Sequence, residues 1–184
     1  MHPIKYLWGI RAYLYKLILG KIGNMSYIGK PIYIGGCKNI YIGNRVRIFP
    51  GIRIEAIGKG TIKIEDNCAI EQNVHITSGF DELKINKNTT IAAYAFITNI
   101  DHEYSDISKS VLEQPLIPKK TVIGEGCFIG YGASIQAGTI LGKHCVVGTG
   151  AVVKGEFPDY SVIVGVPGKI VKKYDVLTKK WKKL

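Results

Sequence analysis

From Ile123 onward an aliphatic residue returns at every sixth position: Ile123, Ile129, Ile135, Leu141, Val147 and Val153. Four places after each of the first five comes a small residue: Cys127, Ala133, Thr139, Cys145 and Ala151. Neither a helix of 3.6 residues per turn nor a lone amphipathic strand makes a strict six. A fixed short period marks a solenoid, and six-residue periods belong to parallel β-helices. The beat starts near Ile28 and Ile34, slips by two around Ile40, and resumes at Ile42, Ile48 and Ile54. Ile64, Ile70 and Ile76 follow, with Cys68 and Val74 at the small position. After a short insertion from Ser78 to Leu83 it resumes at Ile85, Ile91 and Ile97, with Thr89 and Ala95 on the small beat. A long break then runs from Thr98 to Thr121. Each hexad should supply one short strand and one turn, and three hexads one triangular coil. The aliphatic residue fills the prism, and the small one lets the corner close. Coils stacked about 4.8 Å apart satisfy one another's backbone groups.

The two ends read differently. Over residues 4–20, Leu7, Ile10, Leu14, Leu17 and Ile18 recur at three- and four-residue steps, predicting a short helix stopped at Gly20. Trp8 and the tyrosines, beside Lys5, Arg11 and Lys16, suit either a bilayer interface or packing on the protein body or a neighbouring subunit; the packed reading is preferred. The last residues, VKKYDVLTKKWKKL, predict a basic capping helix anchored by Trp181. The expected organisation is an N-terminal helical segment (1–27), a β-helix (28–165) with an inserted loop (98–121), and a C-terminal basic extension (166–184). The fold class is therefore an all-β solenoid with short N- and C-terminal helices.

At 184 residues one domain is expected. The N-terminus has no small-residue cleavage site after an apolar run, and no stretch approaches the roughly 20 apolar residues of a membrane span. The four cysteines form no CxxC. Those on the small beat read as buried reduced thiols rather than metal or redox groups, which implies a cytoplasmic protein. The formal charge is +11, and seven lysines follow Gly168, so much of the excess should sit in the tail. These basic residues are not interleaved in a nucleic-acid-binding motif, and no nucleic-acid partner is expected. Phosphate-bearing ligands, an anionic membrane surface or plain solvation of the tail all fit.

Four motifs carry chemistry. Ile97-Thr98-Asn99-Ile100-Asp101-His102 opens the long break. Val122-Ile123-Gly124-Glu125-Gly126-Cys127-Phe128-Ile129-Gly130, Val147-Gly148-Thr149-Gly150-Ala151-Val152-Val153 and Val164-Gly165-Val166-Pro167-Gly168-Lys169-Ile170-Val171-Lys172 follow in order. Together, over residues 28–173, they resemble the hexapeptide-repeat acyltransferases, most closely the xenobiotic and sugar O-acetyltransferase branch. At Phe128 these relatives usually carry Trp. The resemblance implies a left-handed parallel β-helix and a homotrimer with active sites between subunits. It implies acetyl-coenzyme A as co-substrate, a carbohydrate acceptor and no metal.

By the same resemblance His102 matches the catalytic base. Tyr131 follows the step where the family uses a backbone N–H near the thioester. Thr149 and Lys154 match positions along the coenzyme arm, and Lys169 and Lys172 match basic residues near its nucleotide end. Glu71, Asn73 and Asp81 lie where relatives place acceptor-sugar contacts, although Glu71 stands where the galactoside enzymes carry Asn. The chemistry suits these types. An alcohol is scarcely ionised at neutral pH, so a base titrating near 7 must take its proton as the bond to carbon forms. Imidazole starts close to this. A fixed N–H must meet the charge that develops on the carbonyl oxygen. The second ring nitrogen is expected to be held by a carbonyl or carboxylate, with Asp101, Glu103 and Asp106 nearby. His75 ends its hexad and could line the same groove as His102, with a structural or peripheral role preferred, and His144 and His2 are read as exposed.

The leading expectation is O-acetylation of a capsular, O-antigen or lipid-linked glycan unit, with an aromatic helix and a lysine tail suiting a substrate at the inner membrane surface. N-acetylation of a nucleotide-linked amino sugar is the alternative, disfavoured because many such enzymes carry an extra N-terminal domain. A metal site like that of the γ-type carbonic anhydrases needs two histidines close in sequence, which His75, His102 and His144 do not supply. A non-catalytic scaffold is the remaining reading.

Overall fold

The computed structural model describes residues 4–184. Met1, His2 and Pro3, and with them the expectation for His2, lie outside the described residues. The six-residue beat becomes a three-sided, left-handed parallel β-helix of six complete coils and two strands of a seventh. The first face runs from strand Lys21–Ile22 to Glu156–Phe157. The second runs from Tyr27–Ile28 to Ser161–Val164, and the third from Tyr33–Gly35 to Val152–Val153. The first parallel strand thus lies ahead of Ile28.

Register explains the period. On the first face Ile22, Ile42, Ile64, Ile85, Ile123, Leu141 and Phe157 stand in line. On the third face Ile34, Ile54, Ile76, Ile97, Ile135 and Val153 do the same. These columns meet in one continuous core. Burying each side chain stabilises the coil by about 1.5–3 kcal/mol. The small beat has a second use beyond closing corners. Thr89 Oγ1 donates to Gly124 O (3.0 Å), Cys127 Sγ to Gly142 O (3.2 Å), and Cys145 Sγ to Pro158 O (3.2 Å). Each ties its corner to the next coil. Burial pushes the Cys68 thiol up to about 11, which keeps it protonated and unreactive. At Gly124 the coils approach so closely that a Cβ would collide with the Gly142 carbonyl.

Both ends depart from expectation. The helix, α1, spans Ile4–Tyr15, and residues 16–20 form a turn in which Gly20 N–H donates to Cys37 O (3.1 Å). The expected C-terminal helix is absent. Lys169–Asp175 adds to the second face antiparallel to Ser161–Val164, and Lys180–Lys183 pairs with it in turn. The reason is that the last coil leaves a row of unpaired backbone groups, and a strand satisfies them where a helix cannot. The hairpin is closed locally. Asp175 Oδ1 accepts from Leu177 N (2.9 Å) and Thr178 N (3.0 Å), Lys179 takes a positive φ of 51°, and Tyr174 packs edge-on against Trp181 (5.4 Å). Lysines on the outermost strand then discourage further pairing.

The long break is not a loose loop either. Ile100–His102 and Leu116–Pro118 pair as an antiparallel ribbon leaving the corner between the third and first faces. Asn99 plugs its base. This fully buried amide donates to Ser78 Oγ (3.0 Å) and accepts from Gly79 N (2.8 Å), and its carbonyl accepts from Lys119 N (2.7 Å). Among the described residues no helix is long and apolar enough to cross a membrane.

Candidate active site

The ribbon positions His102. As the last residue of the strand Ile100–His102, opposite Leu116, it is exposed and stands between two clefts. One, of about 420 Å³, runs over the third face and is lined by Arg53, His75, Phe96, Thr98, Leu116 and Gln136 beside His102. The other, of about 520 Å³, lies along the ribbon and is lined by Asp101, Glu103, Tyr104, Lys119 and Lys154. His102 and Asp101 border both. A third cleft of about 490 Å³, on the first face between Tyr41, Lys63 and Lys87, contains no histidine.

None of the three neighbouring carboxylates orients the ring. Asp101 Oδ2 bridges Lys119 Nζ (2.8 Å) and Lys154 Nζ (3.1 Å), which hold its carboxyl below the usual range. Glu103 accepts from Tyr104 N and Ser105 N (both 2.9 Å) and is depressed by the Ser105 backbone first. Asp106 is engaged by Lys109 and Ser108. Both ring nitrogens of His102 are therefore open to ligands or to a second subunit.

The remaining candidates divide between the borders of the third face. Lys154 follows Val152–Val153 at the His102 corner, and Asp81 lies at that same corner, its carbonyl bonded to Asn99. Tyr131 and Thr149 follow strands of the second face at the opposite corner, as do Glu71 and Asn73. Glu71 Oε2 accepts from Ala93 N (3.1 Å), and Asn73 occupies a turn at φ 57°. Glu71 therefore ties its turn to the next coil, and Asn73 serves the turn it sits in. The exposed Tyr131 ring packs on Tyr94 (5.3 Å), and Tyr131 N–H finds no acceptor among the described residues. Lys169 and Lys172 are exposed on the added antiparallel strand. One subunit thus brings His102 and Lys154 together but leaves Tyr131 and Thr149 a face apart.

The third face also holds residues that the inward beat conceals. Arg53, His75, Phe96 and Ser134 form an outward column in register, alternating with inward Ile54, Ile76, Ile97 and Ile135. His75 Nε2 is 2.9 Å from Thr77 Oγ1, and its ring packs edge-on to Phe96 (5.2 Å). Burial, then the adjacent Arg53 charge, lowers its pKa, so the ring is neutral at physiological pH. It lines the same cleft as His102, the placement that the sequence left open beside a structural or peripheral role. The signal for that placement is a polar residue at the outward position beside the break. His144, by contrast, stacks on Tyr160 (5.6 Å) beyond both clefts. No three His, Cys, Asp or Glu side chains group as a metal-ligand set among the described residues.

Residues 120–155 match the family model of the bacterial transferase hexapeptide (six repeats). Over 169 residues the chain is 36% identical to the putative lipopolysaccharide biosynthesis O-acetyl transferase WbbJ of Escherichia coli K12, covering 87% of this chain and 85% of that one. The chain belongs to the hexapeptide-repeat transferases. As a member it is an acyltransferase. It is also 28% identical over 175 residues to the dTDP-4-amino-4,6-dideoxy-D-glucose acyltransferase of Escherichia coli, covering 86% of each. Its fold is that of a mutant of AntD, an N-acyltransferase from Bacillus cereus in complex with dTDP and coenzyme A (TM-score 0.77, 20% identity, 90% of each chain). With 90% of AntD covered, no extra N-terminal domain distinguishes that N-acyltransferase. The argument from a missing domain therefore does not separate O- from N-transfer in this hexapeptide transferase.

Proposed function

We propose that this hexapeptide transferase is an acetyl-coenzyme A-dependent O-acetyltransferase acting on a carbohydrate hydroxyl, with His102 as general base. One observation carries the reading: an exposed imidazole stands where two clefts meet, while every carboxylate beside it is engaged elsewhere. The WbbJ likeness, with its printed O-acetyl transferase name, supports the class of acceptor.

In this mechanism the acceptor sugar occupies the third-face cleft, over Phe96 and His75. The thioester arm enters along the Lys154 cleft, and Lys169 and Lys172 face the phosphates at its far end. His102 takes the hydroxyl proton as the oxygen attacks the thioester carbonyl carbon. The carbon–sulfur bond then breaks, and the coenzyme leaves as a thiol after the imidazolium returns the proton. The oxyanion needs a fixed N–H. Tyr131 N–H, without an acceptor in its own subunit, serves when the opposite corner of a neighbouring subunit faces His102. That requirement argues for a homotrimer, in which each His102 ribbon meets the Tyr131–Thr149 border of the next copy.

A second reading has its own support. Two relatives carry names for acyl transfer to a dTDP-linked amino sugar or for N-acylation. There an amine would replace the hydroxyl, and the base would be needed only to collect its proton. A thiol-release assay of acetyl-coenzyme A against a panel of glycans and one dTDP-amino sugar, with His102→Ala beside the wild type, tests both. Turnover on a glycan supports O-transfer, and turnover confined to the amino sugar replaces it with N-transfer. Equal rates for wild type and His102→Ala on every acceptor would end the catalytic reading.

A further inference from the structure

The first 54 residues contain nine Lys or Arg and no Asp or Glu, and the first acidic residue is Glu55. The rest of the chain is close to balance, with sixteen basic and fourteen acidic residues. The excess charge therefore belongs to α1 and the first coils, more than to the lysine-rich tail. Of the nine, only Arg53 is in an ion pair among the described residues. Lys16, Lys21, Lys30, Lys38 and Arg45 are exposed and outside any ion pair among the described residues, where they can meet external anions.

At the same end α1 has two apolar faces. Trp8 and Ala12 are buried, and Trp8 packs on Tyr27 and Phe49, each 5.7 Å away. Lys5 stretches over the same two rings, and Arg11 Nη1 donates to Ile28 O (3.1 Å). The face opposite consists of Tyr6, Leu7, Ile10, Tyr13 and Leu14, which are 66%, 60%, 58%, 72% and 55% exposed. At 3.6 residues per turn these five fill one arc of about 120° with no charged residue inside it. Leu17 (84%) and Ile18 (47%) continue the surface past the helix. A helix apolar on both sides needs cover on both, and this arc exceeds the scattered single exposures normal on a surface.

We propose that this end of the prism docks on an anionic phospholipid bilayer, with α1 lying in the interface plane. Leucine and isoleucine would enter the boundary of headgroup and acyl chain. The tyrosine hydroxyls would stay at headgroup level, and Lys16, Lys21 and Lys30 would meet lipid phosphates. Twelve residues are too few to span, so the helix lies flat. A second copy on the same face would bring one acid-free end against another, and that charge arrangement opposes it. The tail is no part of this surface. Seven ladder steps separate Tyr27–Ile28 from Lys169–Asp175 along the second face, about 34 Å at roughly 4.8 Å each. The basic tail and the aromatic helix occupy opposite ends, and only the helix end has the apolar face.

Flotation of the purified protein with vesicles tests this without any turnover, so its outcome is independent of the acyl-transfer reading. Vesicles of phosphatidylcholine with phosphatidylglycerol should carry the protein, and vesicles of phosphatidylcholine alone should carry about tenfold less. Raising salt should release it, since screening shortens to about 3 Å at 1 M. The double variant Leu7→Glu/Leu14→Glu should lose binding about tenfold or more while keeping the wild-type thermal melt and molecular mass. Lys180→Gln/Lys183→Gln, at the far end, should bind as wild type. Absence of wild-type flotation would overturn the proposal, as would unchanged flotation of the Glu variant. A fall in molecular mass of that variant, with no vesicle binding by the wild type, would make the face a contact between copies instead.

Discussion

The coils after Thr121 and the coils before Thr98 share one core but differ in regularity. After Thr121 every strand on the three faces is two or three residues long until the final coil, and hexads follow one another without insertion. Before Thr98 the third-face strands lengthen to five residues, Arg53–Ile57 and His75–Gly79, and the ribbon erupts from their corner. The regular half is a frame. The irregular half widens one face and builds a wall beside it, and these two line most of the clefts bordering His102, to which the frame adds Gln136 and Lys154. Departures from the six-residue beat thus mark where the chain does more than stack.

This contrast can be broken in order of expected effect. His102→Ala should lower turnover by roughly two to four orders of magnitude with an unchanged melting temperature, because the ring is exposed and supports no packing. Ile129→Ala, in the frame and fully buried, should do the reverse. It should cost about 2–5 kcal/mol of stability while folded protein keeps its specific activity, as read by denaturant unfolding beside the thiol-release assay. Asn99→Ala should fall between, since it leaves the amide of Gly79 without its acceptor and takes a donor from the Ser78 hydroxyl, which still donates to Asp81 O. A loss of about 1–3 kcal/mol, with a fall in kcat from a mobile ribbon, is expected.

The smallest effect is a pH dependence. His75 titrates below its ordinary 6.5 because burial and Arg53 disfavour the charged ring. The unfolded chain therefore binds more protons in the window between the folded value and 6.5. Stability should be complete above that window and decline as pH falls through it. His75→Gln should flatten this acid limb of the melting-temperature profile. An unchanged limb would show that His75 does not carry it.

Much of the fold was legible because the inward columns obey one rule. An aliphatic residue at every sixth position has only one periodic structure to enter, so Ile123 to Val153 declared the prism by themselves. The C-terminal hairpin was not legible. Its Lys-rich ends read as a basic helix, and only the unpaired edge of Ser161–Val164 makes a strand the better solution. His102 was found through its place at the break and through resemblance. His75 was legible only as a residue that could line the groove, because its place there depends on lying between Arg53 and Phe96 in register, twenty or more positions away in sequence. The Asp101–Lys154 pair, 53 residues apart, was equally hidden.

The most direct test of the imidazole's role is chemical rescue of His102→Ala with free imidazole in the thiol-release assay. The ring's exposure between two open clefts gives a small base access to the vacated place. Turnover should rise in proportion to added imidazole and follow the pKa of substituted imidazoles. Wild-type turnover by the variant without imidazole, or no response to it at any concentration in a folded protein that still binds coenzyme A, would contradict the account.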